Sequence, residues 1–567
     1  MSEARDERNT NVMQRVLNLI ETVGNALPHP TMMFIWLVAI LLLMTALLSA
    51  LGVVVETPTG RFPINNLIGQ QPVEIQNPRN GQVIASFANG WQYLLATMTS
   101  NFINFAPFGL VIVIMIAIGV AENSGLIVAA VRKLVLSAPP RLITPVVVFA
   151  GVMSNIAADA GYLVLVPLGA VVYYGMGRHP LAGLAAAFAG VSGGFSANLV
   201  ITSLDPLLGG FTQTAAQTGD AMVGTAFSAT MNIATMNYYF IVASTFLVVL
   251  VGTFVVEKIV EPNLGDYRPG EEAGLAADPD KLSDEEGRGL RMAGLVLLIY
   301  LAVLVMMVIP VKSGIPLLGS LSTATLPAAE QAAIAARYGS VSFTNAPFFG
   351  TGIIVSALFF AFLLPGLAYG IVTRKITCGR EFVGTMEDEM REMASFIVLV
   401  FVMAQFVAYF NASNVGVLIA MKGAKLLELV PADSMVGTSL LIVGFVLLSS
   451  LINLFMGSAS AKWAILAPIF VPILMTVGMT PAATQMLYRI GDSSTNIVTP
   501  LMTYFAFIIV IGQKYQKDFG IGTLVSLMLP FSVLFLVGWT VLFLVWGLLG
   551  LPLGPQSAIF FTLPAGG

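Results

Sequence analysis

The sequence predicts an all-α polytopic membrane protein with nine transmembrane helices, two re-entrant helical hairpins and an inverted repeat. Three observations carry that prediction: the composition, the lengths of the apolar runs, and a pattern of polar and small residues that occurs twice. Of 567 residues, 57% are hydrophobic and only 10% are charged. Mean hydropathy is +0.88. Soluble domains carry roughly 25% charged residues, and disorder requires low hydrophobicity, so both classes are excluded. The formal net charge of −4 gives no basic footprint for nucleic acid. Cys378 is the single cysteine, so no intrachain disulfide forms.

Apolar stretches long enough to cross lie near 31–54, 106–124, 181–204, 236–257, 291–311, 349–373, 393–411, 484–512 and 523–550. The charged N-terminus and the length of the first run argue for a true span rather than a cleaved signal peptide. Residues 1–30 read as a cytoplasmic N-terminus with an interfacial helix, and 31–141 as scaffold helices. Two other apolar stretches, 142–176 and 437–477, are interrupted by small and polar residues at 154–161 and 457–462. Such interruptions belong inside protein or beside water, so they read as tips of re-entrant hairpins. Residues 142–204 then form the first hairpin and broken helix, and 437–512 the second. Between them, 205–436 holds connecting and scaffold helices with a polar cytoplasmic loop at 258–290; 513–567 holds the last helix and the C-terminus.

With the N-terminus in the cytoplasm, 18 of the 26 Lys and Arg fall on the cytoplasmic side and six on the outer side. That bias places the C-terminus in the periplasm and opens the two hairpins to opposite sides. The two regions share a pattern. Asp159, Tyr162, Pro167, Gly177 and Pro180 match Ser460, Trp463, Pro468, Gly478 and Pro481 at an offset of 301. After a three-residue slip, Gly193, Ser196, Asn198 and Val200 match Gly491, Ser494, Asn496 and Val498 at 298. Inverted repeats with interrupted helices typify secondary transporters, with the binding site near the midplane.

The candidate residues follow. In each copy the helix is interrupted at Gly and Ser/Asn residues, within 193–198 and 491–496, and the breaks would free backbone carbonyls, which with Asn and Asp oxygens can replace the hydration shell of Na⁺. The alternative is that these glycines only permit close helix packing. Asp492 lies inside a membrane helix, where an unpaired charge is costly. It reads as a cation ligand or proton carrier, or as the partner of Arg489 one turn earlier. Asn496 is one turn beyond Asp492 on the same face. Asn198 and Ser196 are the first-repeat equivalents of Asn496 and Ser494, and read as ion ligands or as interhelical hydrogen-bonding groups. Asp205 lines a substrate path or caps a turn. Asn155 and Asp159 occupy the first tip; Asn453, Ser458 and Ser460 the second. The Na⁺ candidate site is Asn453, Asp492 and Asn496. Trp463 packs in the core or stacks an aromatic substrate. Lys462 neutralises a carboxylate or snorkels outward. No P-loop, H-E-x-x-H or G-x-S-x-G motif is present. The chain therefore reads as no enzyme and carries no ATP site; its coupling ion is Na⁺ or H⁺, with no other cofactor.

At these residues the sequence resembles the aminobenzoyl-glutamate transporter (AbgT) family. The resemblance rests on Gly190-Val-Ser-Gly-Gly-Phe-Ser-Ala-Asn-Leu199, Ala404-Gln-Phe406, Ser460-Ala-Lys-Trp-Ala-Ile-Leu-Ala-Pro468 and Arg489-Ile-Gly-Asp-Ser-Ser494. It implies nine membrane helices with two hairpins, a homodimer in the lipid of the inner membrane, and a small aromatic anion such as p-aminobenzoyl-glutamate as substrate. Some members look like exporters of sulfonamide antimetabolites. The family's site residues correspond to Asp205, Asn453, Trp463, Pro481, Arg489, Asp492, Asn496 and Pro500. An aminobenzoyl ring would suit Trp463, and a carboxylate would suit Arg489. Two rivals are a dicarboxylate or other anion transporter of similar architecture, and an intramembrane enzyme using Asp159 and Asp492.

Overall fold

The computed structural model describes residues 30–57, 60–76, 83–156, 161–267, 282–308, 353–427 and 435–563, with Ala329 and Gln331. Asp159 and the interfacial segment 1–29 lie outside the described residues.

The chain is mostly helical. It opens with α1 (Pro30–Ala50), α2 (Gly90–Ile103), α3 (Ala106–Asn123) and α4 (Leu126–Leu136). The first repeat region holds α5 (Ile143–Ser154), α6 (Val166–Gly175) and α7 (Pro180–Phe188), which continues as a wider π-turn to Gly193. Then come α8 (Leu204–Val223), α9 (Tyr238–Val255), α10 (Asp284–Val308), α11 (Ile353–Val372), α12 (Gly379–Glu392), α13 (Ala394–Ala412) and α14 (Val415–Leu427). The second region holds α15 (Met435–Asn453), α16 (Ala459–Met475), α17 (Pro481–Asn496) and α18 (Phe505–Gln513), and α19 (Ile521–Leu548) follows.

Seven helices among the described residues are long and apolar enough to cross a membrane, or eight if the bent pair α3–α4 is one span. That is fewer than the nine expected. The stretches 181–204 and 484–512 are not continuous helices: the chain leaves helix at 194–203 and again at 497–504. Conversely, α15 passes as a span although it was read as half of a hairpin. Two short antiparallel hairpins, Val54–Thr57 with Gly60–Pro63 and Val73–Gln76 with Val83–Phe87, were not expected. Val73-Glu-Ile-Gln76 alternates apolar and polar, but strands of four or five residues carry too few positions for the alternation to stand out.

Lipid-facing surfaces stay apolar. Leu298 and Met306 of α10 are 66% and 70% exposed, which suits a helix whose solvent is hydrocarbon. The interior is built on α7, α8, α16 and α17. In the first region both α5 and α6 pack on α7; in the second, α15 and α16 pack on α17.

The same turn closes both pairs. Gly177 and Gly478 have φ of 72° and 79°, a conformation glycine adopts without a Cβ penalty. Arg178 N donates to Tyr173 O at 2.9 Å, and Met479 N donates to Leu474 O at 3.1 Å. Gly177 N reaches Tyr174 O at 3.0 Å and Gly478 N reaches Met475 O at 3.1 Å. Each bond recurs at the offset of 301. Each following helix then starts with Pro at its first position, where no donor is lost. His179 caps one and Thr480 the other.

Gly491 is a packing glycine, not a break. It lies inside α17, and a Cβ there would sit 2.6 Å from Val446 O of α15. At Gly193 a Cβ would meet the Phe535 ring at 2.6 Å. Small residues let backbones approach this closely. Gly491→Leu therefore forces α15 from α17. We expect loss of the folded peak on size exclusion or a drop of several degrees in melting temperature, because overpacking costs about 1–3 kcal/mol even where side chains give way. A variant that melts like the parent would contradict the contact.

Candidate functional site

Helix α17 sets the site. It carries Thr484, Gln485, Arg489, Asp492, Ser493, Ser494, Thr495 and Asn496, yet every one of its residues is buried. Burying so many polar groups is favourable only if they are paired.

Asp492 pairs with Lys462 of α16 at 2.5 Å, both side chains at most 2% exposed. Tyr488 donates to the same carboxylate at 3.2 Å. Arg489 donates from Nη1 to Asp205 Oδ1 at 2.6 Å. Asp205 lies in the first turn of α8, where a helix N-terminus favours negative charge. Its Oδ2 accepts from Thr202 N at 2.7 Å and Thr202 Oγ1 at 3.0 Å. The alternative reading of Asp492 as the partner of Arg489 is not met, and two separate ion pairs stand in its place. A side chain points away from its own helix and meets a neighbouring helix more readily than the residue one turn back.

Asn453, the last residue of α15, ties the cluster together. Its Nδ2 donates to Asp492 O at 2.7 Å, Thr495 Oγ1 at 2.8 Å and Asn496 Oδ1 at 2.9 Å. Its Oδ1 accepts from Lys462 Nζ. So Asn453, Asp492 and Asn496 do come together, and the Lys462 ammonium sits among them, bonded to Asn453 and Asp492.

Trp463 is fully buried. Its ring stacks on Tyr488 at 4.7 Å and 21°, and its Nε1 donates to Thr212 Oγ1 at 2.9 Å. Gln485 donates to the same Thr212 oxygen at 2.8 Å, and Asn237 donates to Gln485 at 2.6 Å. Tyr488, Thr212, Gln485, Asn237 and Thr495 were not singled out in the sequence. A signal existed for two of them: Gln485 precedes Arg489 by four residues, and Thr212 follows Asp205 by seven, both on one helix face.

Other expected residues lie elsewhere. Pro481 starts α17, eleven residues before Asp492, which is about 16 Å along the helix. Pro500 lies in the non-helical segment after α17. Ser458 caps α16, accepting from Ala461 N at 3.3 Å. Asn198 donates to Val152 O at 3.2 Å and accepts from Val200 N at 3.1 Å, tying the first interrupted segment to α5. Ser196 is buried in that same segment and its Oγ has no partner. The second interrupted segment touches the first repeat region: Tyr162 stacks on Tyr504 at 4.7 Å, and Ser192 Oγ lies 3.2 Å from Met502 Sδ.

A family model described as the AbgT putative transporter family matches residues 15–561. The chain belongs to the AbgT family. The p-aminobenzoyl-glutamate transport protein of Escherichia coli K12 is 36% identical over 539 residues, 94% of this chain and 95% of that protein. The YdaH transporter of Alcanivorax borkumensis, whose crystal structure is described as revealing an unusual topology, superposes with TM-score 0.78 at 39% identity. That match covers 93% of this chain and all of that one. MtrF of Neisseria gonorrhoeae, described as illuminating a class of antimetabolite efflux pumps, superposes with TM-score 0.76 at 40% identity. It covers 94% of this chain and 97% of that one. AbgT membership makes the chain a multi-span membrane transporter, not an enzyme.

The Arg489–Asp205 pair generates a test. Asp205→Ala leaves a buried guanidinium without its anion, which should destabilise the detergent-solubilised protein by about 3–5 kcal/mol. Asp205→Leu with Arg489→Met, which removes both charges, should recover most of that loss in the same melting assay. Equal losses for the single and double variants would show that the pair is not coupled.

Proposed function

We propose that this AbgT transporter moves aromatic anions of the p-aminobenzoyl-glutamate and p-aminobenzoate type by coupling to Na⁺ or H⁺. The observation that carries this is α17: a fully buried polar helix whose charges and aromatic contacts converge with α8, α15 and α16. A packed lipid-embedded protein has no structural need for such a helix. Arg489 Nε is buried without a hydrogen-bond partner, a donor left for an incoming carboxylate that competes with Asp205. Trp463 and Tyr488 offer aromatic faces beside it, once their mutual stack opens. Asp492, Asn453 and Asn496 are the ion-responsive group, with Ser196, Asn198 and Ser458 at the two interruptions. Pro481 and Pro500 bound the moving helix.

In this reading 142–204 and 437–512 form the transport core, with α8 joined to it because it supplies Asp205 and Thr212. The recurring turn at Gly177 and Gly478 supports two copies of one unit. The Lys and Arg distribution supports opposite orientations, nine membrane helices with two hairpins, a cytoplasmic N-terminus and a periplasmic C-terminus in the bacterial inner membrane. A homodimer fits the family resemblance. Export of sulfonamide antimetabolites is the second reading, favoured by the likeness to MtrF, an antimetabolite efflux pump by description.

Flux of radiolabelled p-aminobenzoyl-glutamate in proteoliposomes, under separate Na⁺ and pH gradients, tests the proposal. We expect flux under one of them and at least a tenfold loss in Asp492→Ala and Asn453→Ala, with insertion intact. Flux of a labelled sulfonamide alone would select the second reading, and no flux of either would reject both. Trp463→Ala should lose aromatic-anion flux by a similar factor; near-normal flux would point to an aliphatic anion instead.

A further inference from the structure

The two copies carry the same asparagine in the same bond, and only one of them is complete. Asn453 Nδ2 donates to Asp492 O at 2.7 Å. At the offset of 298, Asn155 Nδ2 donates to Gly194 O at 3.3 Å, and also to Val152 O at 3.2 Å. Two carbonyls therefore fix which end of the Asn155 amide is the nitrogen. In the second copy the opposite end, Asn453 Oδ1, accepts from the Lys462 ammonium. In the first copy Asn155 Oδ1 is buried and accepts from nothing.

The residues that fill the second copy are missing from the first. Asp492 corresponds to Gly194, and Lys462 corresponds to Gly161 at the offset of 301. A Cβ at Gly161 would lie 2.2 Å from Ser154 Oγ, so a side chain there requires Ser154 to give way. Ser494 donates to Ile490 O at 2.7 Å, whereas its equivalent Ser196 has an Oγ with no partner. Ser196 is 1% exposed and Asn155 7%. Ser196 lies in the first interruption, where the helix has ended at Gly193 and the backbone carbonyls are free of a helical ladder, and Asn155, at the end of α5, bonds to the first residue of that segment.

We propose that a sodium ion binds at this first interruption, held by Asn155 Oδ1, Ser196 Oγ and carbonyls of the 194–203 segment. It takes the part that the tethered Lys462 ammonium plays in the second copy. Neutral oxygens with freed carbonyls suit a monovalent alkali cation; a divalent ion would call for carboxylates. The inference rests on the ion-coupled reading above and names where the ion sits.

The test is equilibrium binding of radioactive sodium to the purified full-length protein, at constant ionic strength set with choline chloride. The parent should bind saturably. Asn155→Ala and Ser196→Ala should each raise the half-saturating concentration about tenfold, more than Asn453→Ala does. Ser196→Ala removes only a hydroxyl and carries the test if Asn155→Ala fails to fold. Unchanged affinity in Ser196→Ala and any folded Asn155→Ala, or loss in Asn453→Ala alone, would overturn the site. So would a parent that binds no sodium. Flux of p-aminobenzoyl-glutamate under a pH gradient, in the same preparation, then shows whether the transport reading survives without it.

Discussion

Hydrocarbon offers no hydrogen bonds, and α17 brings eight polar side chains into it. Much of the structure around it follows from that constraint. Arg489 requires Asp205, so the chain after the first interruption must restart as a helix with its N-terminus facing α17. Asp492 requires Lys462, which fixes the start of α16 against the middle of α17. Asn453 bonds to both α16 and α17, so α15 must end where it does. The close approach of α15 and α17 in turn requires glycine at 491. The apolar helices outside this nucleus need only match the lipid, and their exposed leucines and methionines show how little else is asked of them.

The sequence made legible what depends on composition and spacing. Apolar runs located α1, α9, α10, α11, α13 and α19. The repeated Gly-x-x-Pro steps located the turns before α7 and α17, and the intramembrane charges pointed to Asp492, Arg489 and Asp205. Pairing was less legible. Arg489 and Asp492 are neighbours in sequence, but Asp205 is 284 positions from Arg489, and nothing local distinguishes the two choices. The Gly, Ser and Asn residues at 193–198 and 491–496 read as the interruptions, with glycine permitting the break. Gly491 serves packing instead, and α17 unwinds only after Asn496. A glycine pattern cannot tell a hinge from a close contact; the neighbouring backbone decides.

The copies agree where geometry is at stake and differ where chemistry is. The turns at Gly177 and Gly478 repeat bond for bond, and Asn155 and Asn453 share one donation, to Gly194 O and Asp492 O. Gly161 and Gly194 stand where Lys462 and Asp492 stand. At these two positions the first copy has no charge, and the second has a buried ion pair. Such a pair holds only as a pair, because removing either partner leaves an uncompensated buried charge.

Summed over the nucleus, the formal charges cancel: Lys462 against Asp492, and Arg489 against Asp205. These two pairs therefore contribute no net charge and, in the transport proposed above, no net work against the membrane potential; an anion bound beside them would. Each uncompensated charge moved across the full field is worth about 2.3 kcal/mol per 100 mV. Under the coupling proposed above, the voltage acts on the anion and the cations that travel with it rather than on these two pairs, so the voltage dependence of the current would report their ratio.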